Sequence, residues 1–153
     1  MGTLGGGAHQ ATGINDAGTV IGYSTDTEGR TWAWFTKEMS PASSARWGGH
    51  DWAWGINNEG VIVGQGLPEG AEPGSEVGWV YNGALQRVVY LGSGYEGVGA
   101  INNLGQVLGL AMYEAGEELI YEGFLGTPRA APATAASSDD ATEAPAPGAF
   151  SVP

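Results

Sequence analysis

Short apolar segments alternate with turns rich in glycine, asparagine and aspartate along most of the chain. Residues 19–23, 31–35 and 85–90 are the clearest of these segments and are rich in β-branched and aromatic residues. Such runs, bounded by turn-forming residues, are typical of short strands with one buried face. No window has the 3.6-residue periodicity of an amphipathic helix, so the pattern predicts an all-β domain.

The same pattern occurs three times in the first 128 residues. An Ile-Asn-Asx-x-Gly turn, followed by an apolar segment that ends in glycine, begins at Ile14, Ile56 and Ile101, at offsets of 42 and 45 residues. A step from a small to an aromatic residue follows at 33–34, 78–79 and 123–124, and a Leu/Trp-Gly step precedes the turn at 4–5, 47–48 and 91–92. These registers predict three repeats of about 43 residues, over 4–46, 47–90 and 91–128, each with four short strands.

The turn and the aromatic step have direct structural interpretations. Asn and Asp stabilise turns through their own side chains, so Asp16, Asn58 and Asn103 are expected to hold the repeated turn, and its glycine takes the left-handed conformation. Large apolar residues at one place in every repeat are expected to pack one unit against the next. The predicted core residues are Trp34, Trp79, Phe124, Ile14, Ile56 and Ile101.

Residues 129–153 differ in composition from the rest of the chain. They contain nine alanines and four prolines around Ser137 and Asp139. Such a segment buries too little apolar surface to offset its ordering entropy, so it is predicted to be a flexible tail or tether. Its last residues, 150–152, are compatible with a short strand that pairs with a partner.

Repeats of this length with four strands suggest two architectures. Propeller blades have this size, but propellers close with about four to eight blades, so three blades would be completed by oligomerisation. The alternative is a closed three-repeat β-trefoil or β-prism within one chain. Exposed strand edges in the first case would invite pairing with another chain.

The repeated Leu-Gly-Gly, Gly-Ile-Asn-Asp-x-Gly-x-Val-x-Gly and Ala-aromatic steps resemble the HAF repeats of exported bacterial proteins over residues 1–126. The His-Ala-Phe step of that family corresponds here to residues 32–34, 77–79 and 122–124. The resemblance implies a propeller-like scaffold at the cell surface or outside the cell, without a general assigned activity. The N-terminus has neither a basic nor an apolar region, so an export signal is expected to be missing or already removed.

The charge of the chain excludes some partners. Seventeen acidic and five basic residues give a net charge of −12, which argues against nucleic acid because phosphate binding needs clustered Lys and Arg. No apolar run approaches the ~18 residues of a membrane span, so no membrane insertion is expected. The absence of cysteine excludes disulfides, thiolate nucleophiles and thiolate metal sites.

Three tryptophans are not required by the repeat and form the candidate binding or interface surface. Side chains two apart on a strand point the same way, so Trp52 and Trp54 are expected to share a face, as Trp32 does with Trp34. With His50 and Asp51 beside them, these indoles would suit a protein interface, stacking on a sugar or packing in the core.

No catalytic constellation stands out among the remaining residues. His9 and His50 lack a third ligand, and no calcium-loop, phosphate-loop, dinucleotide or nucleophile-elbow motif is present, so neither metal nor cofactor is expected. The sequence therefore predicts a non-enzymatic assembly subunit of a homo-oligomer, surface layer, fibre or virion. A lectin-like carbohydrate-binding module is the alternative, and a glycoside hydrolase, which needs two facing carboxylates, ranks third.

Overall fold

The structure is a computed structural model that describes residues 5–36, 49–83, 85–87, 95–116, 118–128 and 150–151. Every regular element in these residues is a strand, which confirms the predicted all-β class. In chain order the strands are β1 (Gly5–Ile14), β2 (Val20–Asp26), β3 (Thr31–Phe35), β4 (Asp51–Ile56), β5 (Ile62–Gly66), β6 (Val77–Tyr81), β7 (Leu85–Arg87), β8 (Tyr95–Ile101), β9 (Val107–Ala115), β10 (Glu118–Pro128) and β11 (Phe150–Ser151).

The strands form three separate antiparallel sheets that follow one another along the chain. The first has the order β1-β2-β3, the second β4-β5-β6-β7 and the third β11-β10-β9-β8. Three antiparallel strands in chain order are common to all of them, and the short β7 and β11 lie at outer edges. None of the sheets closes on itself, so the described strands give no support to the closed β-trefoil or β-prism alternative.

Parts of the predicted strands and tail lie outside the described residues. A fourth strand of the first sheet would fall in residues 37–48, and the strand predicted over 85–90 is described only as β7. Of the predicted tail, residues 129–149 are also outside the described part. Residues 150 and 151, whose sequence is compatible with a short strand, pair with Pro128 and Thr127 at the edge of the third sheet.

The repeated turn is built around its first asparagine. The side-chain Oδ1 of Asn15, Asn57 and Asn102 accepts a hydrogen bond from the backbone N–H four residues later, at 2.9 Å in each case. The turn glycines Gly18, Gly60 and Gly105 have φ of 76°, 81° and 76°, the left-handed conformation predicted for them. The first asparagine therefore holds its own turn, whereas the side chains of Asn58 and Asn103, also expected to hold their turns, accept hydrogen bonds from the neighbouring turn.

The same asparagines join neighbouring turns into what we call the asparagine ladder. Asn15 Nδ2 donates to the Asn57 carbonyl at 3.0 Å, and Asn57 Nδ2 donates to the Asn102 carbonyl at 3.2 Å. The second positions add a parallel set, because the backbone N–H groups of Asp16 and Asn58 donate to the side-chain oxygens of Asn58 and Asn103 at 3.0 and 2.9 Å. Each turn is thus bonded to the next one in the chain.

Inside each sheet an aromatic side chain covers a glycine on the neighbouring strand. Gly22 pairs with Trp34, Gly64 with Trp79 and Gly109 with Phe124. A Cβ at position 64 would lie 2.5 Å from Trp79 Cζ2 and would overlap the Trp52 carbonyl oxygen, so this position requires glycine. The strand glycine and the aromatic step are therefore one packing unit.

Two apolar cores lie between successive sheets. Between the first and second sheets, Ile21 and Ala33 pack against Ile62 and Trp79. Between the second and third sheets, Val63 and Val80 pack against residues that include Val98, Val107 and Phe124. The second sheet thus packs one side on the first sheet and the other side on the third.

The predicted core residues divide according to the sheet on which they lie. Trp79 and Phe124 are buried, with 2% and 3% of their surface exposed, and Ile56 and Ile101 are half-buried against the two cores. Trp34 is half-buried and Ile14 is 67% exposed. The prediction that Ile14 is a core residue is wrong, because Ile14 lies on the side of the first sheet that no other described sheet covers.

Replacement of Asn57 tests the asparagine ladder. Asn57→Ala removes bonds to the backbone of Glu59, Val61 and Asn102 at a site that is only 2% exposed, so we expect a loss of about 2 to 3 kcal/mol in the free energy of unfolding. Asn102→Ala is the matched control, because its residue is exposed and its amide donates within its own turn. Urea denaturation measures both, and an equal loss at the two positions would contradict the ladder.

Candidate functional site

An apolar surface covers the outer side of the third sheet. Leu108, Leu110, Leu119, Tyr121 and Leu125 are 42 to 63% exposed. Leu108 pairs with Leu125 across β9 and β10, and residues two apart on a strand share a side, so these five side chains lie on one side of the sheet. We call this surface the apolar face.

The equivalent positions in the other sheets explain the apolar face. Ile21 and Val63 occupy the place of Leu108 in the first and second sheets, and both are fully buried beneath the following sheet. Leu108 is 56% exposed because no described sheet follows the third. These residues are not among the sites predicted from the sequence, although the alternation of Leu108, Leu110 and Met112 is a signal that could have identified them.

One side of the first sheet is covered by no other described sheet, and we call this side the leading face. It carries Ile14, Val20, Trp32 and Trp34, which point away from the Ile21 and Ala33 side that packs on the second sheet. Their equivalents in the second sheet include Ile56, Ile62 and Trp79, which pack against the first sheet. Trp32 and Trp34 share a side of β3, as the sequence predicts.

A groove of about 610 Å³ runs across the first strands of all three sheets. Its lining includes Thr12, Trp54 and Gly99, the unpaired residues where the register shifts in β1, β4 and β8. These β-bulges occur at the same place in every sheet. Trp54 supplies the large aromatic surface, with Gln10 beside it.

The structure separates the tryptophan pair that the sequence placed together. Trp54 contacts Tyr23 edge to face, with ring centroids 5.8 Å apart, whereas Trp52 stacks with His50 at 6.3 Å. Only Trp54 is among the residues that line the groove. The reason is the bulge at position 54, which interrupts the regular alternation of side chains along β4.

Asp51 does not join the surface predicted for it. Its exposed fraction is 0%, and it begins β4 on the same side as the buried Ala53. Gly66 lies opposite, and a side chain at position 66 would occupy the space taken by the Asp51 carboxylate. Alternation along the strand therefore turns this carboxylate inward while His50 remains exposed.

Trp32 belongs to a polar cluster at the edge of the first sheet. Its indole Nε1 donates to Asp26 Oδ2 at 2.9 Å, and Arg30 Nε donates to the same oxygen at 2.9 Å. The Arg30 guanidinium carbon also lies 5.5 Å from the centre of the Trp32 ring. The indole hydrogen bond, followed by the bonds from Arg30 and Glu28, holds the pKa of the Asp26 carboxyl below its usual range.

The part of the chain that the structure describes contains neither a metal-binding cluster nor a membrane-spanning helix. No group of three or more His, Cys, Asp or Glu side chains there is arranged to hold a metal ion. No helix there is long and apolar enough to span a membrane.

Comparison of the chain with protein-family models, with curated proteins and with solved structures gives no match.

The Asp26 cluster predicts a pH dependence of stability. The pKa of this carboxyl is lower in the folded chain than its unfolded value of about 3.9, so its stabilising effect is present above pH ~4 and is lost as the pH falls through the folded pKa. We expect wild type to be more stable than Asp26→Asn at pH 7 and the difference to shrink below pH ~4.

Thermal unfolding of wild type and Asp26→Asn between pH 2 and pH 8 measures this difference. Glu28→Gln is the matched control, since that side chain is 68% exposed and pairs with Arg30 at the surface. A stability difference for Asp26→Asn that stays constant over the whole range would contradict the predicted role of this carboxylate.

Proposed function

We propose that this chain is a non-enzymatic assembly module, a structural subunit that works outside the cell by association with further copies or protein subunits. The observation that carries the proposal is the apolar face. Leu108 and Leu125 occupy positions whose equivalents, Val63 and Val80, are buried between sheets. Contiguous exposed apolar surface of this kind is a mark of a protein interface.

Two further features support an assembly role. The sheets pack in series along the chain, each on the one before it, and such modules are extended by adding a further unit of the same kind. The HAF-like repeats favour a propeller-like arrangement, in which each sheet serves as one blade and further copies complete the ring. The net charge of −12 favours solubility of the free subunit.

The apolar face can be tested with a double substitution. Leu108→Gln/Leu125→Gln removes the pair of leucines that face each other across β9 and β10 at one end of the apolar face. We expect wild type to form a particle larger than one 15.6 kDa chain and the double variant to have monomer mass. Light scattering after gel filtration, over a range of concentrations, measures the mass.

Leu104→Gln is the matched control for this experiment. Leu104 is the most exposed of the large apolar residues at 81%, but it lies in the turn and not on the apolar face. Its equivalents Ala17 and Glu59 are exposed even though another sheet follows theirs, so this position is not expected to be buried by assembly. We expect its mass to equal that of wild type. A wild type that remains monomeric at every concentration would refute the proposal.

Carbohydrate binding in the groove is the second candidate function. The observation that favours it is Trp54, whose indole lines the groove and is braced by the edge-on ring of Tyr23. Gln10 Oε1 accepts a hydrogen bond from the Tyr23 hydroxyl at 2.6 Å, and the Gln10 amide is also part of the groove lining. An aromatic ring beside neutral amides is a common lining for a sugar, whose CH face stacks on the ring while its hydroxyls bond to the amides.

Substitution of the two tryptophans separates a groove site from a surface site. Calorimetric titration with cellohexaose and with chitohexaose measures binding to each variant. We expect Trp54→Ala to weaken binding at least tenfold because the stacking surface is lost, and Trp52→Ala, outside the groove lining, to bind like wild type. Equal losses in both variants, or no binding by wild type, would contradict the groove site.

A further inference from the structure

We infer that the apolar face of one copy receives the leading face of a second copy, so that chains join head to tail and each junction repeats the contact between successive sheets within the chain. This inference rests on the proposed assembly function and adds the partner surface and the polarity. Its basis is that the chain already contains two examples of the contact, one between the first and second sheets and one between the second and third.

The apolar parts of the two faces match the partners seen in those internal contacts. On the side that faces the next sheet in the chain, Leu108 and Leu125 of the third sheet occupy the positions of Ile21 and Phe35 of the first sheet. Ile21 and Phe35 pack on the second sheet. On the opposite side, Val20 and Trp34 of the first sheet occupy the positions of Ile62 and Trp79 of the second sheet. Ile62 and Trp79 pack on the first sheet. Joining the third sheet of one copy to the first sheet of another therefore brings together the same pairs of positions.

The ends of the asparagine ladder provide a second, independent match. Inside the ladder each turn donates its asparagine Nδ2 to the carbonyl of the next turn. At the last turn Asn102 Nδ2 instead donates to Gln106 Oε1 of its own turn at 2.8 Å. At the first turn, the carbonyl of Asn15 is equivalent to the carbonyls of Asn57 and Asn102, which accept the hydrogen bond from the asparagine of the preceding turn. A head-to-tail junction continues the ladder from Asn102 to the Asn15 of a second copy.

The charge of the residue that follows each ladder asparagine favours the same polarity. Asp16 is the one acidic member of the series Asp16, Asn58 and Asn103. Within the chain its Oδ2 accepts from Asn58 Nδ2 at 2.6 Å, so an aspartate facing an asparagine is an arrangement that the fold already uses. Head-to-tail joining places Asp16 opposite the neutral Asn103, whereas joining two leading faces would bring two Asp16 carboxylates together.

A mixing experiment distinguishes the polarities. One variant, Leu108→Gln/Leu125→Gln, has a blocked apolar face, and the other, Ile14→Gln/Val20→Gln, has a blocked leading face. We expect each variant alone to have monomer mass by light scattering, and an equimolar mixture to reach twice the monomer mass. The mixture should stop there, because the remaining two faces are both blocked. Circular dichroism checks folding, and Ile14→Gln alone replaces the second variant if the double substitution unfolds.

The remaining outcomes overturn the inference in distinguishable ways. If the leading-face variant alone still assembles, two apolar faces join to each other and the polarity is wrong, while the assembly function stands. If the apolar-face variant alone still assembles, joining occurs through leading faces and the inference also fails. If wild type is monomeric at every concentration, the proposed function fails together with the inference.

Discussion

The structure depends on one asparagine in each repeated turn. In all three turns its side chain accepts the backbone hydrogen bonds that fix its own turn, and in the first two turns it also donates the bond that fixes the distance to the next turn. Asn57, which does both, is 2% exposed, and a buried amide is tolerated only when its hydrogen bonds are satisfied. Because the local turn and the contact between sheets use the same side chain, the turn and the spacing of the sheets are fixed together. Neither aspartate nor serine supplies both an acceptor and an amide donor there.

Packing between the sheets follows from this fixed spacing. In the second and third sheets the glycine and aromatic pair faces the preceding sheet together with Ile62 or Val107, and in the first and second sheets Ile21 or Val63 faces the following sheet. The two sides of a sheet are therefore different. A series built in this way always has one uncovered side of each kind at its ends. The exposure of Leu108 and Leu125 and the exposure of Ile14 have the same origin. The surfaces that a further copy would need are produced by the arrangement that forms the cores.

Much of the local structure was predictable from sequence, and most of the surface was not. The all-β class, the left-handed turn glycines and the burial of Trp79 and Phe124 depend on residue type and local spacing, which the sequence shows directly. The exposure of Ile14 depends on which sheet stands first in the series, and identical residues at equivalent positions cannot reveal that. The bulge that separates Trp52 from Trp54, and the bond from Trp32 to Asp26, arise from the pairing of strands in three dimensions.

Apolar packing and the ladder would contribute differently to assembly. Leucine and isoleucine surfaces attract without direction, so the apolar face alone would permit joining in several registers. Hydrogen bonds along the ladder have a donor end and an acceptor end, and they would select one register and one polarity. The charge of −12 on every copy opposes both, with a repulsion that salt screens beyond about 10 Å at 0.1 M. Whether head-to-tail joining ends in a ring or continues as a filament then depends on the rotation from one sheet to the next, since a ring forms only if the rotation closes.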